Sequence, residues 1–207
     1  MTMNRRDVLR TLAAGALGGS VLRLIPEAAA QHAHQEVAAA RAASEAGVYT
    51  PKLFKDRQYR TLQALTQLII PPDDRSGGAI EAGAPEFIDL LSSENEEYAL
   101  RIIGGLRWLD GACDDRYSQS FLEITPPQQN EILEIVAFRK NADTDKSLLP
   151  GVEFFAFLRR LTVDAFFSSK IGIQDLGYIG NKFVRGAFPG CPPPPLPAQQ
   201  TAPAKPA

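Results

Sequence analysis

The chain has 207 residues, 44% apolar and 22% charged, and a formal net charge of −2. That is room for one globular domain with a sizeable core, and no basic field to grip a nucleic-acid backbone. With two cysteines in all, it has no Cys-x-x-Cys-His for covalent haem and no ligand set for an iron–sulfur cluster.

Residues 4–12, NRRDVLRTL, come first in the argument. Arg5 and Arg6, followed by Val8, Leu9 and Arg10, read as a twin-arginine export address. A weakly apolar stretch from Thr11 to Leu22 follows, only 12 residues long, against roughly 20 needed to span a bilayer. Ala28-Ala29-Ala30 offers small residues for cleavage before Gln31. Residues 1–30 therefore read as a twin-arginine signal peptide, with an uncleaved anchor or a buried helix as the alternative. Without them the remainder is more acidic, about −4, since the leader takes Arg5, Arg6, Arg10 and Arg23 but only Asp7 and Glu27. The expected location is periplasmic, peripheral to the cytoplasmic membrane.

Residues 31–50, QHAHQEVAAARAASEAGVYT, are Ala-rich and read as a linker or a loose helix. The domain proper is placed at 51–190. Tyr59, Leu62, Leu65, Leu68 and Ile69 recur at helical spacing, and Pro71-Pro72 stops that helix. DDRSGGAIEAG reads as a loop. Pro85 then opens a helix whose apolar face is Phe87, Ile88, Leu90 and Leu91. A longer helix is expected from Glu94 to about Tyr117 on Tyr98, Ile102, Leu106 and Leu109. Thr125, Pro126 and Gln128 form a capping box at the head of another, with Ile132, Leu133, Ile135, Val136 and Phe138 as its core face. NADTDKS reads as a polar turn. The last helix, VEFFAFLRRLTVDAFFSS, places Phe155, Leu158, Leu161, Thr162, Ala165 and Phe166 on one side. No stretch alternates as a strand would.

From residue 170 the pattern changes. KIGIQDLGYIGNKFVRGAFPG is too glycine-rich for a helix and too apolar for a flexible linker, so it needs a surface to lie on. Residues 191–207 read as a disordered, Pro-rich tail. The expectation is an all-α, single compact domain of about five helices with a Gly-rich C-terminal ribbon. Cys113 and Cys191 either pair across it or remain one buried and one exposed thiol.

Motifs for chemistry are weak. GALGG at 15–19 lies in the leader and follows no strand. His32 and His34 in HAH make at best a two-ligand metal site. Asn141, Asp143 and Asp145 have calcium-loop spacing, but the glycine and the terminal acid are missing. Asp73, Asp74 and Glu81 read as paired carboxylates only on a remote view; acids in such loops more often cap amides or bind a partner. No catalytic, cofactor-binding or metal-binding residue is assigned.

Two stretches carry a resemblance: LTQLIIPPDDRSGGAIEAGAPEFIDLLSS (65–93) and FFAFLRRLTVDAFFSSKIGIQDLGYIGNKFVRGAFPG (154–190), with FLEITPPQQNEIL between them. Together with the leader, they make the chain similar to the gluconate 2-dehydrogenase subunit 3 family. The resemblance implies a small, non-catalytic accessory subunit of an oxidoreductase complex acting on CH-OH groups. Its large partner would be a glucose–methanol–choline type flavoprotein holding FAD, with a multihaem cytochrome c carrying haem c as a third component. The small subunit would lend its leader to the flavoprotein at the twin-arginine export machinery. Asp73, Asp74, Gly77, Gly78, Ala82, Gly83, Phe87 and Asp89 match the first motif; of these Asp73, Asp74, Gly77, Gly78, Gly83 and Phe87 are candidates for the partner interface, with Gly180, Asn181, Phe183, Phe188, Pro189 and Gly190. Gly180-Asn181 and Pro189-Gly190 match the second, where Ile179 and Phe183-Val184 replace the family's usual glycine and tryptophan. Phe183 and Phe188 are the expected anchors of partner contact, against the alternative that the ribbon packs on its own helices. A stand-alone exported binding module, or an independent enzyme, are the competing functions.

Overall fold

The computed structural model describes residues 27–44 and 48–180. Among them the elements are all helical: α1 Glu27–Ala43, α2 Asp56–Ile69, α3 Ala84–Glu94, α4 Glu96–Tyr117, α5 Pro126–Ala137, α6 Arg139–Thr144, a 3-10 turn Lys146–Leu148, α7 Leu149–Ser168 and α8 Lys170–Asp175. The fold is all-α.

Helix α7 is the axle. Phe154, Phe155, Phe157, Leu158, Leu161, Ala165 and Phe166 are all buried, so the helix is apolar around most of its circumference, as an interior helix is. Every other described helix touches it. Packing is closest against α4. A Cβ on Gly105 would fall 1.9 Å from the Phe154 ring, so α4 approaches α7 there through bare backbone. Leu62 and Leu65 of α2, Phe87 and Ile88 of α3, and Ile102 and Leu109 of α4 complete the core, each essentially inaccessible. Burying a side chain of this size contributes about 2 kcal/mol.

The five helices read from periodicity are present, and their ends have the expected causes. Thr125 N–H donates to Gln128 Oε1 at 2.9 Å, one half of the capping box at α5. Asn95 Oδ1 caps α4 by accepting from Tyr98 N.

Two segments differ from expectation, while residues 31–43 take the helical of their two readings: α1 packs on α3 and α7, burying Ala30, Ala33 and Val37. Three such small side chains contribute together about 3 kcal/mol, so the docking is thin, and small methyls give little stripe to read. NADTDKS is half helix. Asn141 Nδ2 donates to Ile135 O at 2.7 Å, and Asp145 Oδ1 accepts from Ser147 N and Oγ. Those bonds occupy two of the three side chains that calcium spacing would enlist. Residues 170–175 are helical despite Gly172, because Ser169 Oγ accepts from Gly172 N at 3.1 Å and starts the turn.

The leader residues Arg5, Arg6, Val8 and Leu9, and the C-terminal Asn181, Phe183, Phe188, Pro189, Gly190 and Cys191, lie outside the described residues. So does any pairing of Cys113 with Cys191. Cys113 itself is fully buried on α4; burial pushes its thiol up to about 11, with nearby Asp110 adding to the effect. At neutral pH it is a protonated, inert core residue. Among the described residues no helix is long and apolar enough to cross a membrane.

Candidate partner interface

The loop between α2 and α3 carries most of the first motif, and its geometry is self-contained. Pro71 and Pro72 turn the chain out of α2, and Ala79 N returns to Ile70 O at 2.9 Å. Asp73 Oδ1 accepts from the amides of Arg75 and Ser76, both at 2.8 Å. Those two amides hold the Asp73 carboxyl below its usual range, Ser76 first. A Cβ on Gly78 would lie 2.7 Å from Pro72 N and 2.9 Å from Ile70 O, so only glycine lets the loop close on its own stem. Gly83, the N-cap of α3, is left-handed at φ 78. Glu81 Oε2 accepts from Gly78 N at 2.9 Å. Asp74 is exposed on the outer edge.

Phe87 and Asp89 do not face a partner. Phe87 is at 0% exposure with the His34 ring 4.9 Å away; as part of the α3 apolar stripe it belongs in the core, which corrects its expected place at an interface. Asp89 is also at 0%. Its carboxylate accepts from Tyr49 OH at 2.9 Å and from the amides of Lys52, Leu53 and Phe54 at 2.7, 3.2 and 3.0 Å. It thereby fastens the segment leading into α2 onto α3. Burial, with Asp89 behind it, pushes the Tyr49 phenol well above its ordinary value. Beside it, Arg41 at the end of α1 pairs with Glu86 in the first turn of α3. The sign of this anchor was readable in one place only: an acid inside the apolar run Phe87-Ile88-Asp89-Leu90.

His34 and Ser168 also come together, with Nε2 to Oγ at 3.0 Å. The Ser168 hydroxyl also lies 2.5 Å from Asp164 O, to which it can donate. The contact fastens α1 to α7. His32 is exposed; two residues along a helix the rings diverge, so HAH does not make a metal clamp. Among the described residues no group of three or more His, Cys, Asp or Glu side chains could hold a metal.

The two matched stretches meet at one end of the molecule. Arg75 reaches Asp175 of α8 at 3.9 Å, and a Cβ on Gly77 would lie 3.7 Å from Ile171. A cleft of about 570 Å³ runs between α1, the loop at Glu81 and Gly83, and the α7–α8 junction at Ser169 and Lys170. Beyond α8 the surface turns apolar. Leu176 is 62% exposed, Tyr178 52% and Ile179 72%, flanked by left-handed Gly177 and Gly180. Among the described residues, nothing lies within 4 Å of a Cβ added to either glycine. The Asp73–Gly83 loop and the start of the ribbon are thus neighbours, whereas Phe87 is behind them.

A family model described as Gluconate 2-dehydrogenase subunit 3 matches residues 56–190. The chain belongs to this family. The match begins at the first residue of α2 and takes in every later helix, the loop and the ribbon, leaving α1 and the residues before it outside. Comparison with curated proteins and with solved structures gave no match. The family description makes the chain a subunit of a gluconate 2-dehydrogenase-type assembly.

Proposed function

We propose that this gluconate 2-dehydrogenase subunit 3 family member is the non-catalytic small subunit of a periplasmic FAD-dependent dehydrogenase. The large subunit, of glucose–methanol–choline type, carries the flavin and the active site, and acts on a sugar, polyol or sugar acid. A multihaem cytochrome c takes the electrons onward. The small subunit supplies the twin-arginine address, Arg5 and Arg6, through which the folded flavoprotein is exported, and stabilises its partner afterwards. The complex is peripheral to the cytoplasmic membrane.

One observation carries this reading. The ribbon begins with three large apolar side chains within four residues, at 176, 178 and 179, standing mostly in solvent beside a loop that belongs to the same matched family region. Leu176 and Ile179 are an expensive surface for an isolated chain and an ordinary one for a subunit contact. Co-expression with a glucose–methanol–choline type flavoprotein, which the reading expects to be encoded beside this chain, tests it. The two are expected to co-purify, and a chain that elutes alone overturns it. Replacing Arg5 and Arg6 by lysine is expected to strand both proteins in the cytoplasm; continued export of the flavoprotein refutes the escort role.

A further inference from the structure

On another side of the molecule, four guanidiniums line one cleft with fewer carboxylates than cations among the described residues. A cleft of about 470 Å³ is lined by Arg101 of α4, Arg139 at the start of α6, and Arg159 and Arg160 of α7, over Phe157 and Leu149. Glu153 is the one carboxylate in its lining, and Glu97 pairs with Arg101 at 3.6 Å. Among the described residues, Arg139, Arg159 and Arg160 have no carboxylate within ion-pair distance. Arg101 and Arg160 share one aromatic ring: their Cζ atoms lie 4.0 and 5.7 Å from the Phe157 centroid. The ring face offsets some of the desolvation of each cation. It does nothing for their mutual repulsion. Arg160 Nε is buried and unbonded.

This arrangement stands in a chain whose net charge is negative, so it is a local feature and not a general basicity. A group with several anionic oxygens satisfies it best, because guanidinium forks bind such oxygens two at a time. The rim adds a second demand. Phe138, next to Arg139, is 55% exposed and Leu149 is 36% exposed, and Lys140 Nζ stands 5.3 Å over the Phe138 ring. Exposed apolar side chains interleaved with cations are what a bilayer interface accepts. A free phosphate would leave Phe138 and Leu149 in water.

We infer that this cleft binds the phosphodiester headgroup of an anionic phospholipid, so that the α4–α6–α7 face of this subunit itself rests on the membrane surface. Arg101, Arg139, Arg159 and Arg160 accept the headgroup charge, and Phe138 and Leu149 enter the interfacial layer beside it. The vesicle measurement uses this chain alone, so its failure is distinguishable from failure of the flavoprotein reading.

The test is flotation of the full chain with vesicles of phosphatidylcholine and phosphatidylglycerol in equal parts, against phosphatidylcholine alone. The leader is present in every arm, so only differences are read. Binding to the anionic vesicles is expected, and it weakens as salt is raised. The double variant Arg139→Gln/Arg159→Gln should lower it about thirtyfold, at about one kcal/mol for each surface cation. Both side chains are exposed, so the unfolding midpoint should not move. Phe138→Ser should weaken binding with the charges intact. Equal binding to neutral vesicles, or an unaffected double variant, overturns the assignment. Stabilisation by inorganic phosphate through these arginines without vesicle binding overturns it in favour of a free anion. Loss of flavoprotein co-purification in the double variant, with vesicle binding unchanged, overturns it in favour of an acidic protein surface.

Discussion

The glycines of the 73–83 loop and those of the ribbon look alike in sequence and do opposite work. Gly78 lets the loop touch its own stem, with Pro72 N and Ile70 O inside the space of a missing methyl, and Gly83 turns the chain into α3. Gly177 and Gly180 approach none of the described residues, yet they space out three exposed apolar side chains. The loop spends its glycine on internal closure; the ribbon presents surface. Glycine content therefore marks close or unusual backbone, and burial of the neighbours decides whose backbone it meets.

The contrast can be broken at its strongest point first. Asp89→Ala leaves Tyr49 OH and three amides without their acceptor, and should cost about 4 kcal/mol by urea denaturation. A loss below about 1 kcal/mol would show that water replaces the carboxylate freely. Next, Gly78→Ala pushes a methyl to within 2.7 Å of Pro72 N and should destabilise by about 2 kcal/mol, with the same readout. Gly177→Ala meets no neighbour; it pays only the left-handed penalty at φ 63, about 1 kcal/mol.

Leu176→Asp combined with Ile179→Asp sharpens the other half of the comparison. Both side chains are mostly in solvent, so stability should change by less than about 0.5 kcal/mol, while co-purification with the flavoprotein is lost. A destabilised variant would mean that these residues pack on their own chain. The smallest expected effect is on pH dependence. Burial lowers the His34 pKa below its ordinary 6.5, so the unfolded chain takes up a proton that the folded chain resists. Stability should therefore fall as pH drops below 6.5 and toward the folded value. His34→Gln should flatten that slope, measured as the thermal midpoint across the range.

Sequence periodicity carried the five main helices because Leu62, Leu65, Ile102, Leu109, Leu158 and Leu161 repeat at helical spacing and are all buried. It under-read α1, where Ala30, Ala33 and Val37 keep the same spacing with side chains too small to stand out from the Ala-rich exposed face. The site was half legible. Asp73, Asp74, Gly77, Gly78 and Gly83 do lie beside the ribbon's start, since Arg75 and Asp175 meet. Phe87 was read outward although its own stripe, with Ile88 and Leu90, predicts burial. The Arg101–Arg160 cleft was out of reach for a different reason: its cations sit on three elements, and only tertiary packing brings them into one cleft, two of them over the Phe157 ring.

The docking of α1 bears on the proposed export. Ala28-Ala29-Ala30, the small residues suited to leader removal, lie in the first turn of α1, with Ala30 only 3% exposed. On the export reading, a peptidase that needs its scissile segment uncoiled would find the cut shielded by a body already closed over Ala33 and His34, and trimming would wait until that turn frays.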